Sequence, residues 1–186
     1  MKVIDIKQEE SELILMAIEN NRYAQKKIYS RFSSKMLSVC RKYIKDVHQA
    51  EDLMITAFMK VFINLKHFES KGSFEGWIRR IMINECISFL RTQKKISFLE
   101  DTFYREDNFI IIENDFSAEE IQLLIDNLPN GCKMIFNLYA IDGYKHSEIA
   151  ELLGISEGTS KSQLSHARRI LQEQLTKIKK YHHEVR

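Results

Sequence analysis

The sequence predicts an all-α fold: two small helical domains joined by an acidic linker, the second containing a helix-turn-helix. Three observations predict it. The 186 residues include one Pro and six Gly, so little interrupts a helix. Apolar residues recur every three or four positions along most of the chain. Charge is also partitioned: residues 71–95 hold six Lys/Arg against two Asp/Glu, 96–120 hold one against eight, and 144–186 hold eight against five, although the whole chain carries only +2. Two basic segments separated by an acidic one suggest two surfaces for a polyanion, joined by a segment that avoids it.

The start, MKVIDIKQEESE, alternates charges with short apolar residues and lacks the basic end and apolar run of a signal peptide. No later window approaches a membrane-spanning length, so a cytoplasmic protein without membrane insertion is expected. Cys40, Cys86 and Cys132 are odd in number and far apart, with no close Cys or His pairing of the kind that binds zinc or frames disulfides. They are expected as buried apolar fillers, with no metal and no cofactor.

The first domain, residues 1–95, has helical patterns at 9–20, 22–45, 49–66 and 73–93. The third of these, in HQAEDLMITAFMKVFINLKHF, is apolar almost all round. Met54, Phe58, Val61, Phe62 and Leu65 form a core stripe, and Ile55, Met59 and Ile63 form a second one adjoining Asp52. Either a neighbouring helix covers that second stripe or it is offered to a partner. The fourth helix follows a Gly-containing loop in FESKGSFEGWIRRIMINECISFLRTQKK, where aromatics stand beside Arg and Lys. Such a mixture suits unstacked bases of single-stranded DNA, which offer a face to stack on and a phosphate to pair. The alternative is that Phe74, Trp77 and Phe89 are core anchors; Phe89 fits that role, and for Trp77 both readings stand.

Residues 96–116, ISFLEDTFYREDNFIIIENDF, lose the helical period and read as the acidic linker, with Phe98, Phe103, Tyr104 and 109–112 able to dock locally. Periodicity returns at Ser117, where S-A-E-E matches a capping box, and continues at 117–128, 130–141, 145–153 and 156–180 in a second domain, 117–186.

Within that domain, HSEIAELLGISEGTSKSQL has the build of a helix-turn-helix. Ile149, Leu152 and Leu153 make an apolar face, Ala150 allows close approach, Gly154 supplies a positive-φ turn, and Ile155 plugs the corner. Ser156 is a natural N-cap, with Glu157 in the first turn. At about 100° per residue, Leu164, Ala167 and Leu171 point inward. Gly158, Ser162, Ser165 and Arg169 fall opposite, flanked by Lys161 and His166. A helix must sink into the major groove before its side chains reach base edges, and small residues give that clearance. A solvated helix with uncommitted surface residues is the alternative; Gly158 argues against it, because Gly there costs up to about 1 kcal/mol relative to Ala.

Taken together, AEDL with FMKVF, then GSFEGWIRRIMINE, then LPNGCKMIFNLYAIDGYKHSEIAELLGISEGTSKSQLSHARR resemble the extracytoplasmic-function sigma factors of the main bacterial sigma family. The resemblance covers nearly the whole chain. It implies a dissociable subunit of RNA polymerase, itself not an enzyme, that recognises and opens promoters. The helix matching 50–68 would dock on the clamp helices of core polymerase through Asp52, Ile55, Thr56 and Met59. The loop from Phe68 to Phe74 would capture a flipped base of the minus-10 element, within a melting set of Phe68, Ser73, Phe74, Trp77, Arg80, Asn84 and Arg91. Flipping costs a few kcal/mol of stacking, which an aromatic and amide pocket offsets.

In the second domain the family's minus-35 contacts carry over onto Lys161, Ser162, Ser165 and His166, alongside Gly158 and Arg169, with Thr159, Gln163 and Arg168 at phosphate positions. The resemblance also implies an anti-sigma factor as a partner, and a linker that threads the path of nascent RNA. The chain departs from the family at Ile55 and Thr56, where Gln and an acidic residue are usual. It departs again at Ser160 and Gln163, where Val and Arg are commoner. Ser160 points inward on the wheel, where its hydroxyl is expected to bond a carbonyl one turn earlier.

Two rivals predict different behaviour. A self-sufficient helix-turn-helix regulator would bind an operator tightly without polymerase, and an adaptor bundle would bind no nucleic acid. Neither has a use for an aromatic melting loop and a helix-turn-helix on one chain. No catalytic constellation of acids, histidines or cysteines is recognisable.

Overall fold

The computed structural model describes residues 2–93 and 116–184, and among them every regular element is helical. The chain divides into two compact units, Met1–Leu90 and Arg91–Arg186. All but Phe116 of the expected linker lies outside the described residues.

The first unit holds α1 (Lys2–Ile18), α2 (Arg22–Tyr43), α3 (Val47–Asn64) and α4 (Phe74–Thr92). The first helix begins earlier than the periodicity predicts, since no Gly or Pro between Val3 and Gln8 stops it. Asn21 starts α2: its Oδ1 accepts from the N–H groups of Tyr23 and Ala24 at 3.0 and 3.1 Å. Asn20 before it takes the left-handed φ of 60° that Asn tolerates better than most residues. Asp46 caps α3 by accepting from Gln49 N–H at 2.8 Å, and Ser73 caps α4 by accepting from Gly76 N–H at 2.9 Å. Caps of this kind contribute about 1 kcal/mol each.

The buried residues of α2, Ala24, Ile28, Phe32, Met36, Val39, Cys40 and Tyr43, follow the helical period. They meet Leu53, Met54, Ala57, Phe58 and Val61 of α3, and Ile78, Met82, Ile83 and Ile87 of α4 join the same core. Phe32 and Phe74 pack edge to face with centroids 5.7 Å apart. Cys40, Cys86 and Cys132 are all free and buried, as expected of apolar fillers, and burial pushes the Cys132 thiol up to about 11.

The second unit holds α5 (Ala118–Asp126), α6 (Asn130–Phe136), α7 (His146–Leu153) and α8 (Glu157–Glu184). The predicted capping box is present: Ser117 Oγ accepts from Glu120 N–H at 3.2 Å, and Glu120 accepts from Ser117 N–H at 2.9 Å. Where periodicity predicts one helix over 130–141, α6 ends at Phe136 and gives way to a π turn, Asn137–Ile141. Asp142 N–H bonds Asn137 O at 2.9 Å, five residues back, so the chain carries one residue more per turn here. Leu128, Cys132 and Ala167 form a core cluster on which Phe136, Ile170 and Leu171 pack.

Candidate nucleic-acid interface

The helix-turn-helix is built as its residues predict. Gly154 adopts φ 69° and ψ 38°, and both its N–H and that of Ile155 reach Ala150 O, closing the end of α7. At the other end of α7, Glu148 accepts from Lys145 N–H at 2.9 Å. Ile149 and Leu153 of α7 and Leu164 and Ala167 of α8 are all buried. Ser156 Oγ accepts from Thr159 N–H at 2.9 Å and so caps the second helix of the motif.

The outer side of α8 begins with exposed Gly158 and Lys161 and continues through Ser162, Ser165 and His166, all half-buried. A Cβ on Gly158 would meet only Ser156 Oγ, at 3.4 Å, an ordinary contact. Nothing among the described residues therefore requires glycine there. Ser162 Oγ donates to Thr159 O at 3.1 Å, which folds its hydroxyl against the helix and keeps the surface low. Lys161 pairs with Glu157 across one turn at 3.8 Å, a surface ion pair worth well under 1 kcal/mol that yields readily to a phosphate.

Arg169 is already engaged: one terminal nitrogen donates to Glu173 at 3.0 Å and the other lies 3.2 Å from His166 Nδ1. That neighbour makes His166 Nδ1 an acceptor and leaves the proton on Nε2. Burial first, and then the Arg169 charge, hold the His166 pKa below the usual histidine value, against the pull of Glu173. His166 thus presents a neutral ring with a donor.

Two expectations for α8 need correction. Gln163, assigned to a phosphate position, is only 3% exposed, and its Oε1 accepts from Cys132 Sγ at 3.1 Å. It braces α8 against α6 instead of facing outward. Ser160 is buried as expected, but its Oγ pairs with His146 Nδ1 at 2.8 Å, so a side chain of α7 takes the place of the backbone carbonyl.

Along α4, Trp77, Arg80, Asn84 and Arg91 fall within about 60° of one another. Arg80, Asn84 and Arg91 are exposed and Trp77 is half-buried. Phe68 and Ser73 flank the start of this stripe, with the Phe68 and Trp77 rings 5.4 Å apart. Phe74 is the exception: it is buried, 5.1 Å from Phe68 and 6.0 Å from Trp77, so it supports those rings from beneath and is withdrawn from the residues that could touch a base. Trp77, for which two readings stood, has one side on this aromatic cluster and part of its surface open. Phe89 is half-buried.

On α3, Ile55, Met59 and Ile63 are 51%, 60% and 68% exposed, so no helix among the described residues covers the second apolar stripe. Asp52 and Thr56 are exposed beside it, with Thr56 Oγ1 donating to Asp52 O at 2.9 Å. Among the described residues no His, Cys, Asp and Glu side chains group to hold a metal, and no helix is long and apolar enough to cross a membrane.

The family model for Sigma-70 region 2 matches residues 28–96, and that for Sigma-70 region 4 matches residues 118–171. The chain is 27% identical over 161 residues to the ECF RNA polymerase sigma factor SigW of Bacillus subtilis, covering 77% of this chain and 84% of that one. It is 25% identical over 161 residues to the ECF RNA polymerase sigma factor SigM of Mycobacterium tuberculosis, covering 86% and 81%. The solved structure of the sigma factor RpoE with the anti-sigma factor NepR from Bartonella quintana shares the fold, with a TM-score of 0.52 at 21% identity over 81% of this chain and 96% of that one. So does CnrH with the cytosolic domain of CnrY, at 0.50 and 18%, over 88% and 95%.

Proposed function

This chain belongs to the sigma-70 family of RNA polymerase sigma factors, as a member of its extracytoplasmic-function group, and on that premise we propose how its residues divide the work of promoter recognition. The 117–186 domain lays α8 in the major groove of the minus-35 element, with Lys161, Ser162, Ser165 and His166 toward base edges. Thr159 and Arg168 lie toward phosphates. The 1–95 domain presents Phe68, Ser73, Trp77, Arg80, Asn84 and Arg91 to the unpaired minus-10 strand, while Asp52, Ile55, Thr56 and Met59 dock on core polymerase. The chain acts as an initiation factor and leaves phosphodiester chemistry to the polymerase.

The observation that carries this reading is the low, open face of α8, with a glycine that no internal contact demands. The direct test adds purified protein to bacterial core polymerase over a pool of genomic promoter fragments. Initiation at fragments that core alone ignores is the expected result. Absence of both initiation and core binding refutes the assignment, and tight operator binding without polymerase favours a self-sufficient regulator.

The residue assignments predict two kinds of loss. Lys161→Ala is expected to change which minus-35 sequences are preferred, by roughly 1–3 kcal/mol at the base it reads. Arg168→Ala is expected to weaken binding about equally on all sequences and to reduce the slope of log affinity against log salt by about one. Selection from randomised minus-35 duplexes at two salt concentrations separates the outcomes; a uniform loss for Lys161→Ala removes its base-reading role. The solved RpoE neighbour is bound to an anti-sigma factor, which supports a regulator of that class for this chain as well. Co-purification from the native cell tests it.

A further inference from the structure

The π turn at Asn137–Ile141 carries Tyr139 to a place that the helix-turn-helix motif does not specify. Its ring is stacked on His146 of α7, with centroids 4.4 Å apart and planes 21° from parallel. The Arg168 guanidinium of α8 lies over the same ring, 5.8 Å from its centroid. His146 is itself tied to α8, because its Nδ1 pairs at 2.8 Å with the hydroxyl of buried Ser160, two turns before Arg168. The contacts therefore close a circuit from α8 through α7 and the π turn and back to α8. A π turn of this kind inserts one residue into a helix and re-aims the side chains after it, and such turns recur at functional sites.

We propose that Tyr139 is a positioning residue for duplex binding: His146 fixes its ring, and the ring holds the Arg168 guanidinium in the attitude in which it meets a DNA phosphate. A long side chain on an open helix surface surrenders rotamer freedom when it binds, and one already laid on an aromatic face surrenders less. The electrostatic pull of the ring on a cation within about 6 Å supplies the restraint without neutralising the charge that the phosphate needs. The inference rests on the reading of Arg168 as a phosphate contact.

The test uses holoenzyme formed with core polymerase and a duplex promoter fragment that the wild-type holoenzyme retains from a genomic pool. Tyr139→Leu is expected to weaken binding by about three-fold, the size of an exposed cation–π contact. The loss should be similar on all sequences retained, with a lower salt slope. Tyr139→Phe and Tyr139→Trp keep the aromatic face and are expected to bind as wild type. Tyr139→Leu combined with Arg168→Ala is expected to bind no more weakly than Arg168→Ala alone, because the ring acts through that arginine. Additive losses, or a Tyr139→Phe protein as impaired as Tyr139→Leu, overturn the proposal. If Arg168→Ala weakens binding and Tyr139→Leu does not, the positioning role alone falls. If Arg168→Ala itself has no effect, the phosphate assignment falls and takes the positioning role with it.

Discussion

Gly158→Leu is expected to leave folding intact while lowering duplex binding by the holoenzyme roughly ten- to a hundred-fold. The two effects part because the described residues put no constraint on the position, whereas the proposed DNA contact does. Gly158 is exposed in the first turn of α8, and an added Cβ meets nothing closer than Ser156 Oγ at 3.4 Å. Replacing Gly in a helix recovers up to about 1 kcal/mol of propensity, so thermal stability should hold or rise. In the proposed complex with DNA the same side chain has to fit where α8 meets the groove, and overfilling a packed contact costs about 1–3 kcal/mol. Gly158→Ala should fall between wild type and Gly158→Leu. Thermal unfolding and promoter binding measured on the same preparations check the separation. Wild-type binding by the Leu variant would mean that α8 does not approach a groove at Gly158, and the clearance argument would be lost.

Part of this fold was legible because several helix starts carry their own caps. Asn21, Asp46, Ser117 and Ser156 each satisfy a first-turn N–H, and Gly154 turns the corner of the helix-turn-helix with the positive φ that its position predicts. The π turn was not legible. The residues NLYAI contain no Gly or Pro, and the extra residue is visible only in which carbonyl each N–H reaches. Tyr139 went unnoticed for the same reason: its importance comes from His146 and Arg168, neighbours that the helical period of 130–141 does not bring together.

Gln163 illustrates a different failure. On the helical wheel it lies about 40° from Ala167, on the inward flank of α8, so periodicity alone points to a half-turned-in side chain. The family resemblance placed it at a phosphate position nonetheless, where the commoner residue is a long cation able to reach around the helix. A shorter amide has no such reach, and it finds the Cys132 thiol instead. Phe74 was misplaced for a related reason. The sequence puts it at the end of a loop bearing other aromatics, but the first turn of α4 directs its ring toward Phe32 and the core. The α3 stripe could not have been decided from sequence, because amphipathicity says that a face is apolar without saying what lies against it.

That stripe carries the other large expected effect. Ile55→Asp combined with Met59→Asp should abolish stable association with core polymerase while thermal unfolding stays where it is in the wild type. The opposite side of α3 supplies Leu53, Met54, Ala57, Phe58 and Val61 to the core, and the variant touches none of them. Surface substitutions away from such features shift stability by no more than about 0.5 kcal/mol. Apolar side chains four residues apart on one face are the usual anchors of a helix in a protein interface, where losing a central one costs about 2 kcal/mol or more. Burying two new carboxylates against a partner adds desolvation to that loss. Leu15→Asp is the control: Leu15 is 64% exposed, as open as the stripe, but stands on α1. Co-elution with core and initiation in vitro should fail for the double variant and persist for Leu15→Asp. If the double variant still binds core with wild-type affinity, docking runs through another face of the first unit, and the exposed Ile55, Met59 and Ile63 side chains need a different partner to account for them.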